Sequence, residues 1–205
     1  MEEKQFTSYS EHYFEICKNN FFSYIKLRED YKSIWERIEY LTNKYEEEGE
    51  EEYNKEIEHL LNEAADIKNQ PDAAGHISII FSAMCLEAII NHYAINRTSK
   101  TLFENYLDKL DVKAKWVIIP KLLSTVEFNR ESQAFELLGK VVKLRNDLVH
   151  YKSRVIRFPA NMAEQMEKDE KDFYSNVRNS IQAIFSVVEE LKRIDLNWKE
   201  HIWYL

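Results

Sequence analysis

Residues 141–154, VVKLRNDLVHYKSR, hold the side chains best suited to chemistry in this 205-residue chain. Arg145 and His150 stand five apart, and Asn146 follows the arginine directly. A histidine titrates near neutrality and serves as general acid or base. An arginine presents a planar fork of donors that fits a phosphate. In RNA the 2′-hydroxyl is an internal nucleophile. It needs deprotonation, an in-line phosphate and stabilisation of the charge that builds as the phosphorane forms. One imidazole and one guanidinium supply those roles without a metal, and Asn146 orients either the imidazole or the phosphate.

A helix must position them. Phe135, Leu138, Val141, Val142, Leu148 and Val149 recur at the spacing of a buried helical face, and Arg145 falls on the same stripe. A guanidinium on a core-facing stripe requires a partner or a cavity. Asn146 and His150, four apart, stack one turn above each other on the adjacent face, on a line that also holds Gly139 and Lys143. The missing side chain at Gly139 is expected to let another helix approach closely. Upstream, residues 77–95 are apolar on almost every face and predict the central, most buried helix. Its polar exceptions are Glu87 and Asn91, again on one face. Either Glu87 meets Arg145 or both face solvent.

The stretch RNDLVH fits the Arg-(Asn/Asp/His)-x-x-x-His pattern of HEPN domains. FSAMCLEAIINHYAI, residues 81–95, resembles the apolar helix those proteins carry before the motif. The resemblance covers roughly residues 72 to 194. It implies an all-α, HEPN-like antiparallel helical bundle. It also implies a metal-independent endoribonuclease whose two copies pair so that both motifs face one cleft, leaving a 2′,3′-cyclic phosphate and a 5′-hydroxyl. HEPN toxins neutralised by nucleotidyltransferase antitoxins carry a tyrosine two residues after the histidine. Lys152 stands there and Tyr151 precedes it, so the chain departs from that subgroup, and neutralisation by that chemistry would need Tyr151 as a substitute.

Composition narrows the classes. Three glycines, three prolines and 31% charged residues favour long helices over a turn-rich β-protein. A net charge of −8 argues against a general nucleic-acid coat protein. Between residues 140 and 157, however, Lys140, Lys143, Arg145, Lys152, Arg154 and Arg157 face only Asp147. That basic island either contacts RNA phosphates, with Lys143, Lys152, Arg154 and Arg157 as the binding cations, or pairs with the protein's own glutamates. The histidines at 12, 59, 76, 92, 150 and 201 do not pair at metal-ligand spacing, so no metal and no cofactor is expected. His92 is expected at the surface or at a helix cap. Phosphate-loop, HExxH, Cys-x-x-Cys and Gly-x-Ser-x-Gly patterns are absent. Residues 1–10 have neither a basic start nor an apolar segment, and the run 77–90 is short and interrupted by Ser78, Ser82 and Glu87. With two cysteines in helical patterns, a cytoplasmic protein without a membrane span or disulfide framework is expected.

Along the chain, residues 9–45 predict a first helix with Phe21, Tyr24, Tyr31, Trp35 and Ile38 on one stripe, interrupted by Arg28. The run EEEGEEE, 46–52, is either a solvated turn or an acidic decoy for a basic partner. Tyr53, Ile57, Leu60, Leu61 and Ala64 mark an antiparallel return. Pro71 opens the central helix, and Thr101 with Glu104 predicts a capping box. Asp111 caps a helix carrying Trp116, Val117 and Ile119 that Pro120 bends or ends, and Asn129 to Ser132 introduces the motif helix. VIRFP, 155–159, is expected to be an extended link. A last helix runs from about 161 to 194, with Met162, Met166, Phe173, Val177, Ile181, Ile184, Val188 and Leu191 as its core stripe. The aromatic tail either packs back on the bundle or meets a second copy. The expected division is a helical hairpin extension, 1–70, and a HEPN-like bundle, 71–205. The expected assembly is a homodimer, with RNA as substrate and an antitoxin or regulatory protein as a further partner. Catalytic roles fall to Arg145, Asn146 and His150, supported by Glu87, Asn91 and Tyr151. The alternative is a non-cleaving HEPN module that binds RNA, a nucleotide or a protein.

Overall fold

The structure, a computed structural model, describes residues 9–48, 51–150, 161–196 and 198. Tyr151, Lys152, Arg154 and Arg157, the extended link and most of the aromatic tail lie outside them. Among the described residues the fold is all-α, with no strand. The helices are α1 (Ser10–Glu48), α2 (Glu51–Ile67), α3 (Gln70–Ile95), α4 (Lys100–Leu102), α5 (Val112–Ser124), α6 (Gln133–Val149) and α7 (Met162–Ile194). A π-helical turn, Phe103–Leu107, continues α4.

The long α1 runs antiparallel to α2 and α3 in succession. Its register is visible in three contacts: Arg37 Nη2 meets Glu56 at 2.8 Å, Ser78 Oγ donates to the Cys17 carbonyl at 3.1 Å, and Cys85 Sγ to the Ser10 carbonyl at 3.4 Å. The distal half of this hairpin has its own small core of Ile34, Ile38 and Ala64. Its proximal half joins the main core, where Phe14 and Cys17 pack with Leu86, Ile89 and Ile90 of α3. Ile34, not Trp35, completes the buried stripe. Trp35 is 45% exposed, one residue off the inward line, with its ring edge-on to Tyr31. Arg28, the interruption in that stripe, reaches α7: its guanidinium pairs with Glu170 at 2.7 Å and lies over the Tyr174 ring.

The central helix is α3. Pro71 sits in its first turn, where a missing N–H is not needed. Ser78 and Ser82 are fully buried yet satisfied by carbonyls, Ser82 Oγ donating to Ser78 O at 2.8 Å. Contrary to the expectation from residues 77–90 alone, the apolar stretch is long enough to cross a membrane by length and composition. More than half of that window, 56%, is buried inside the bundle. Burial pushes the Cys17 thiol up to about 12, and neither Cys17 nor Cys85 is in a disulfide.

Around α3 pack α5, α6 and α7. The cap before α4 is Ser99, whose hydroxyl accepts from Leu102 N–H, while Thr101 lies inside the turn. Asp111 caps α5, and Pro120 lies within it without ending it. Ser132 caps α6. In α7, Val177, Ile184, Val188 and Leu191 are buried, but Met162 and Met166 are exposed because the core begins only at Phe173. In α6, Val149 is likewise exposed, at the helix end beyond the core. After α7 the chain folds back. Tyr93 donates to Asp195 at 3.0 Å, Arg97 pairs with Asp195 at 3.1 Å, and Trp198 meets Tyr93 edge-on.

Two glycines make opposite predictions. A Cβ at Gly75 would stand 2.8 Å from the Phe173 ring and 3.0 Å from Val177, whereas one at Gly139 would meet only Lys113 at 3.5 Å. The close helix approach expected at Gly139 is therefore at Gly75, between α3 and α7. Phe173 is itself held by Tyr24 and His76 and cannot easily retreat. Gly139→Ala should stabilise by about 0.5–1 kcal/mol through helix propensity. Gly75→Ala should lose about 1–3 kcal/mol to overpacking. Denaturant melts of the two variants read both signs.

Candidate functional site

Three helices meet at Glu87. It projects from the middle of α3, with Asn91 one turn further on. From α5, Val112, Lys115, Trp116 and Ile119 all lie on the buried face, so Lys115 is carried inward and is 1% exposed. Its ammonium donates to Glu87 Oε1 at 2.9 Å and stands 3.6 Å from Asp108, just past the π-helical turn. From α6, Arg145 brings Nη2 to 3.5 Å from Glu87 Oε2, while its Nη1 donates to Asn146 Oδ1 at 3.1 Å.

The partnership expected between Glu87 and Arg145 therefore exists only as the looser of two. A charge-assisted N–H···O bond closes to about 2.7–2.9 Å; Lys115 meets that and Arg145 does not. Arg145 is 24% exposed, and its Nε is buried without a hydrogen-bond partner. The guanidinium is held in place without being tightly neutralised. Lys115 and Asp108 were missed by sequence reasoning. The signal for Lys115 was its place on the stripe 112, 115, 116, 119, the same pattern that singled out Arg145.

His150 stands one residue beyond α6. It is the C-cap, with φ −107° and ψ 51°, and its backbone N–H donates to the Asn146 carbonyl at 2.9 Å. Its ring is exposed and has no hydrogen-bonding partner among the described residues. Lys143, Asn146 and His150 share the solvent face of α6, and all three are exposed. Lys140, on the same face, pairs with Glu136 at 2.6 Å. Of the basic island's described members, then, Lys140 and, more loosely, Arg145 answer internal glutamates and Lys143 does not.

Behind Glu87 lies a cavity of about 380 Å³ lined by Tyr9, Tyr13, Glu87, Asn91, Phe103 and Asp108 among others. His92, in the last turn of α3, borders it half-buried, with Nε2 2.9 Å from Nδ2 of the C-cap residue Asn96. Burial first, and the Arg97 charge second, hold its imidazole below the usual histidine range. Among the described residues no three His, Cys, Asp or Glu side chains converge as a metal site. No protein-family model, curated protein or solved structure matches the chain.

The unequal sharing of Glu87 orders three variants. Glu87→Ala leaves the buried Lys115 ammonium with only the 3.6 Å contact to Asp108 and should lose about 3 kcal/mol. Lys115→Met removes the buried charge, leaves Glu87 to Arg145 and should fall within about 1 kcal/mol of wild type. Arg145→Ala should lose roughly 1 kcal/mol, as for a partly exposed pair. Equilibrium unfolding that ranked Arg145→Ala as the most damaging would show the pairing is the reverse.

Proposed function

We propose that the protein is a metal-independent endoribonuclease of HEPN type, acting in toxin–antitoxin or antiviral defence. The observation that carries the reading is that Lys115 takes Glu87. Arg145 is thereby fixed at the edge of the α6 face that also presents Lys143, Asn146 and His150. A cation held by an amide and one long carboxylate contact can still accept a phosphate. A cation locked in a short bidentate pair cannot.

In this reading the RNA backbone lies along α6. Arg145 and Lys143 meet phosphate oxygens, and Arg145 stabilises the charge of the phosphorane. A general base removes the 2′-hydroxyl proton. The 2′-oxygen bonds to phosphorus as the 5′-oxygen leaves with a proton from a general acid, giving a 2′,3′-cyclic phosphate and a 5′-hydroxyl. Among the described residues one chain offers a single imidazole at this face, so in this reading base and acid are the same residue from two copies. A two-fold homodimer that pairs the exposed α6 faces supplies both, and a partner group would also orient the His150 ring. Without pairing, the same face suits a non-cleaving RNA-binding module.

His150→Ala should lose about 10²–10⁴-fold in RNA cleavage while keeping helical content, since the exposed ring contributes nothing to the core. Arg145→Lys should also lose most activity, because a point charge does not reproduce the planar fork. Cleavage should survive EDTA and vanish on a 2′-deoxy substrate. End analysis of the products and helical circular dichroism of each variant are the measurements; full activity in His150→Ala would end the proposal.

A dimer in solution is the second requirement. Light scattering at tens of micromolar should give twice the 24.6 kDa chain mass. A monomer that cleaves RNA at full rate would refute the shared site.

A further inference from the structure

The cavity behind Glu87 has an asymmetric chemistry. Its volume of about 380 Å³ is that of a small-ligand site. Aromatic walls come from Tyr9, Tyr13 and Phe103, with Tyr9 and Tyr13 near parallel at 6.0 Å. Its polar groups include two carboxylates, Glu87 and Asp108, and Asn91, whose Oδ1 is buried with no hydrogen-bond partner. An ionised carboxylate accepts and never donates. An unpartnered buried acceptor is destabilising until something donates to it. Lys115 satisfies Glu87 Oε1 at 2.9 Å, leaving Oε2 with only the 3.5 Å contact to Arg145. Flat aromatic surfaces and surplus acceptors call for a planar ligand with N–H donors side by side.

Among the four RNA bases only guanine has that edge. Its N1–H and N2 amino group point the same way and fit one carboxylate. Adenine and cytosine set a single amino group beside an acceptor nitrogen, and uracil sets its one N–H between two carbonyls. Either arrangement would bring an acceptor against Glu87. We propose that this cavity is a guanine subsite. The base stacks on the tyrosine wall, donates from N1 and N2 to Glu87, and leaves Asp108 and Asn91 as further acceptors. Because Glu87 also touches Arg145, the base subsite adjoins the phosphate-binding cation, and cleavage would fall next to a guanosine. The choice of RNA as the source of the base rests on the ribonuclease reading; the donor–acceptor match does not.

The test uses methyl-labelled methionine, since Met84 lines the cavity while Met162 and Met166 are exposed on α7. Nucleoside 5′-monophosphates are titrated as GMP, IMP, AMP, CMP and UMP, so that the phosphate is constant and only the base varies. GMP should move the Met84 methyl signal and leave Met162 and Met166 in place. It should also bind about tenfold or more tightly than IMP, which lacks the N2 amino group, and than the other three. Glu87→Gln, which can still accept from Lys115, should abolish the preference for GMP. Ala88→Leu, which fills the cavity and spares the charge pair, should abolish binding even if the first variant folds poorly. Equal affinity for all five nucleotides, a Met84 signal that does not move, or GMP binding unchanged in both variants would each overturn the subsite. GMP binding in a protein that cleaves no RNA would leave the subsite standing and remove the ribonuclease. RNA cleavage with a silent Met84 would do the opposite.

Discussion

Taking an ammonium ion out of water is strongly unfavourable, and the bundle does so at Lys115, whose side chain is 1% exposed. The several kcal/mol of desolvation are offset only with a short, well-directed partner. Glu87 provides it, and that requirement fixes how α5 sits against α3. Everything nearby follows from the choice. The carboxylate is committed on one oxygen and the guanidinium of α6 is left with the other. The acidic pair Glu87 and Asp108 opens towards the cavity with the lysine beneath it. A leucine at 115 would remove the reason for Glu87 to be there, and with it the half-satisfied arginine.

Helices were legible because their signals are local. Caps at Asp111 and Ser132, the proline opening α3 and the apolar stripes of α3 and α7 depend on residues within a turn or two of each other. The lapses came where a neighbour in space decided. Trp35 and Ile34 are adjacent in sequence and both apolar, and only the packing of α2 selects Ile34. Met162 and Met166 continue the α7 stripe by spacing, yet no described core residue faces them. Ser99 outcompeted Thr101 as a cap because it alone takes the extended conformation that frees its hydroxyl for Leu102.

The site was legible in its cations and not in their division of labour. Arg145 on a buried stripe announced a partner, and Glu87 on α3 announced one too. Joining the two was reasonable and incomplete. The same criterion applied to Lys115 would have revealed a rival, and its shorter reach from α5 is what decides. Nothing in the spacing of RNDLVH reveals that His150 ends the helix rather than riding on it. That depends on where α6 loses its core, between Leu148, still half-buried, and the exposed Val149.

The hairpin of α1 against α2 and α3 also implies an order of assembly. Its contacts form a ladder of steadily rising sequence separation: 19 residues at Arg37–Glu56, 61 at Cys17–Ser78 and 75 at Ser10–Cys85. Loop-closure entropy grows with the length enclosed, so the rung nearest the turn closes with the least loss. Each rung then shortens the loop that the next must close. The chain can thus zip from its distal tip inwards, with the small core of Ile34, Ile38 and Ala64 as the first foothold. Once zipped, it delivers Phe14 and Cys17 to α3, and the wall of the cavity at Tyr9 and Tyr13 is the last part of the hairpin to close.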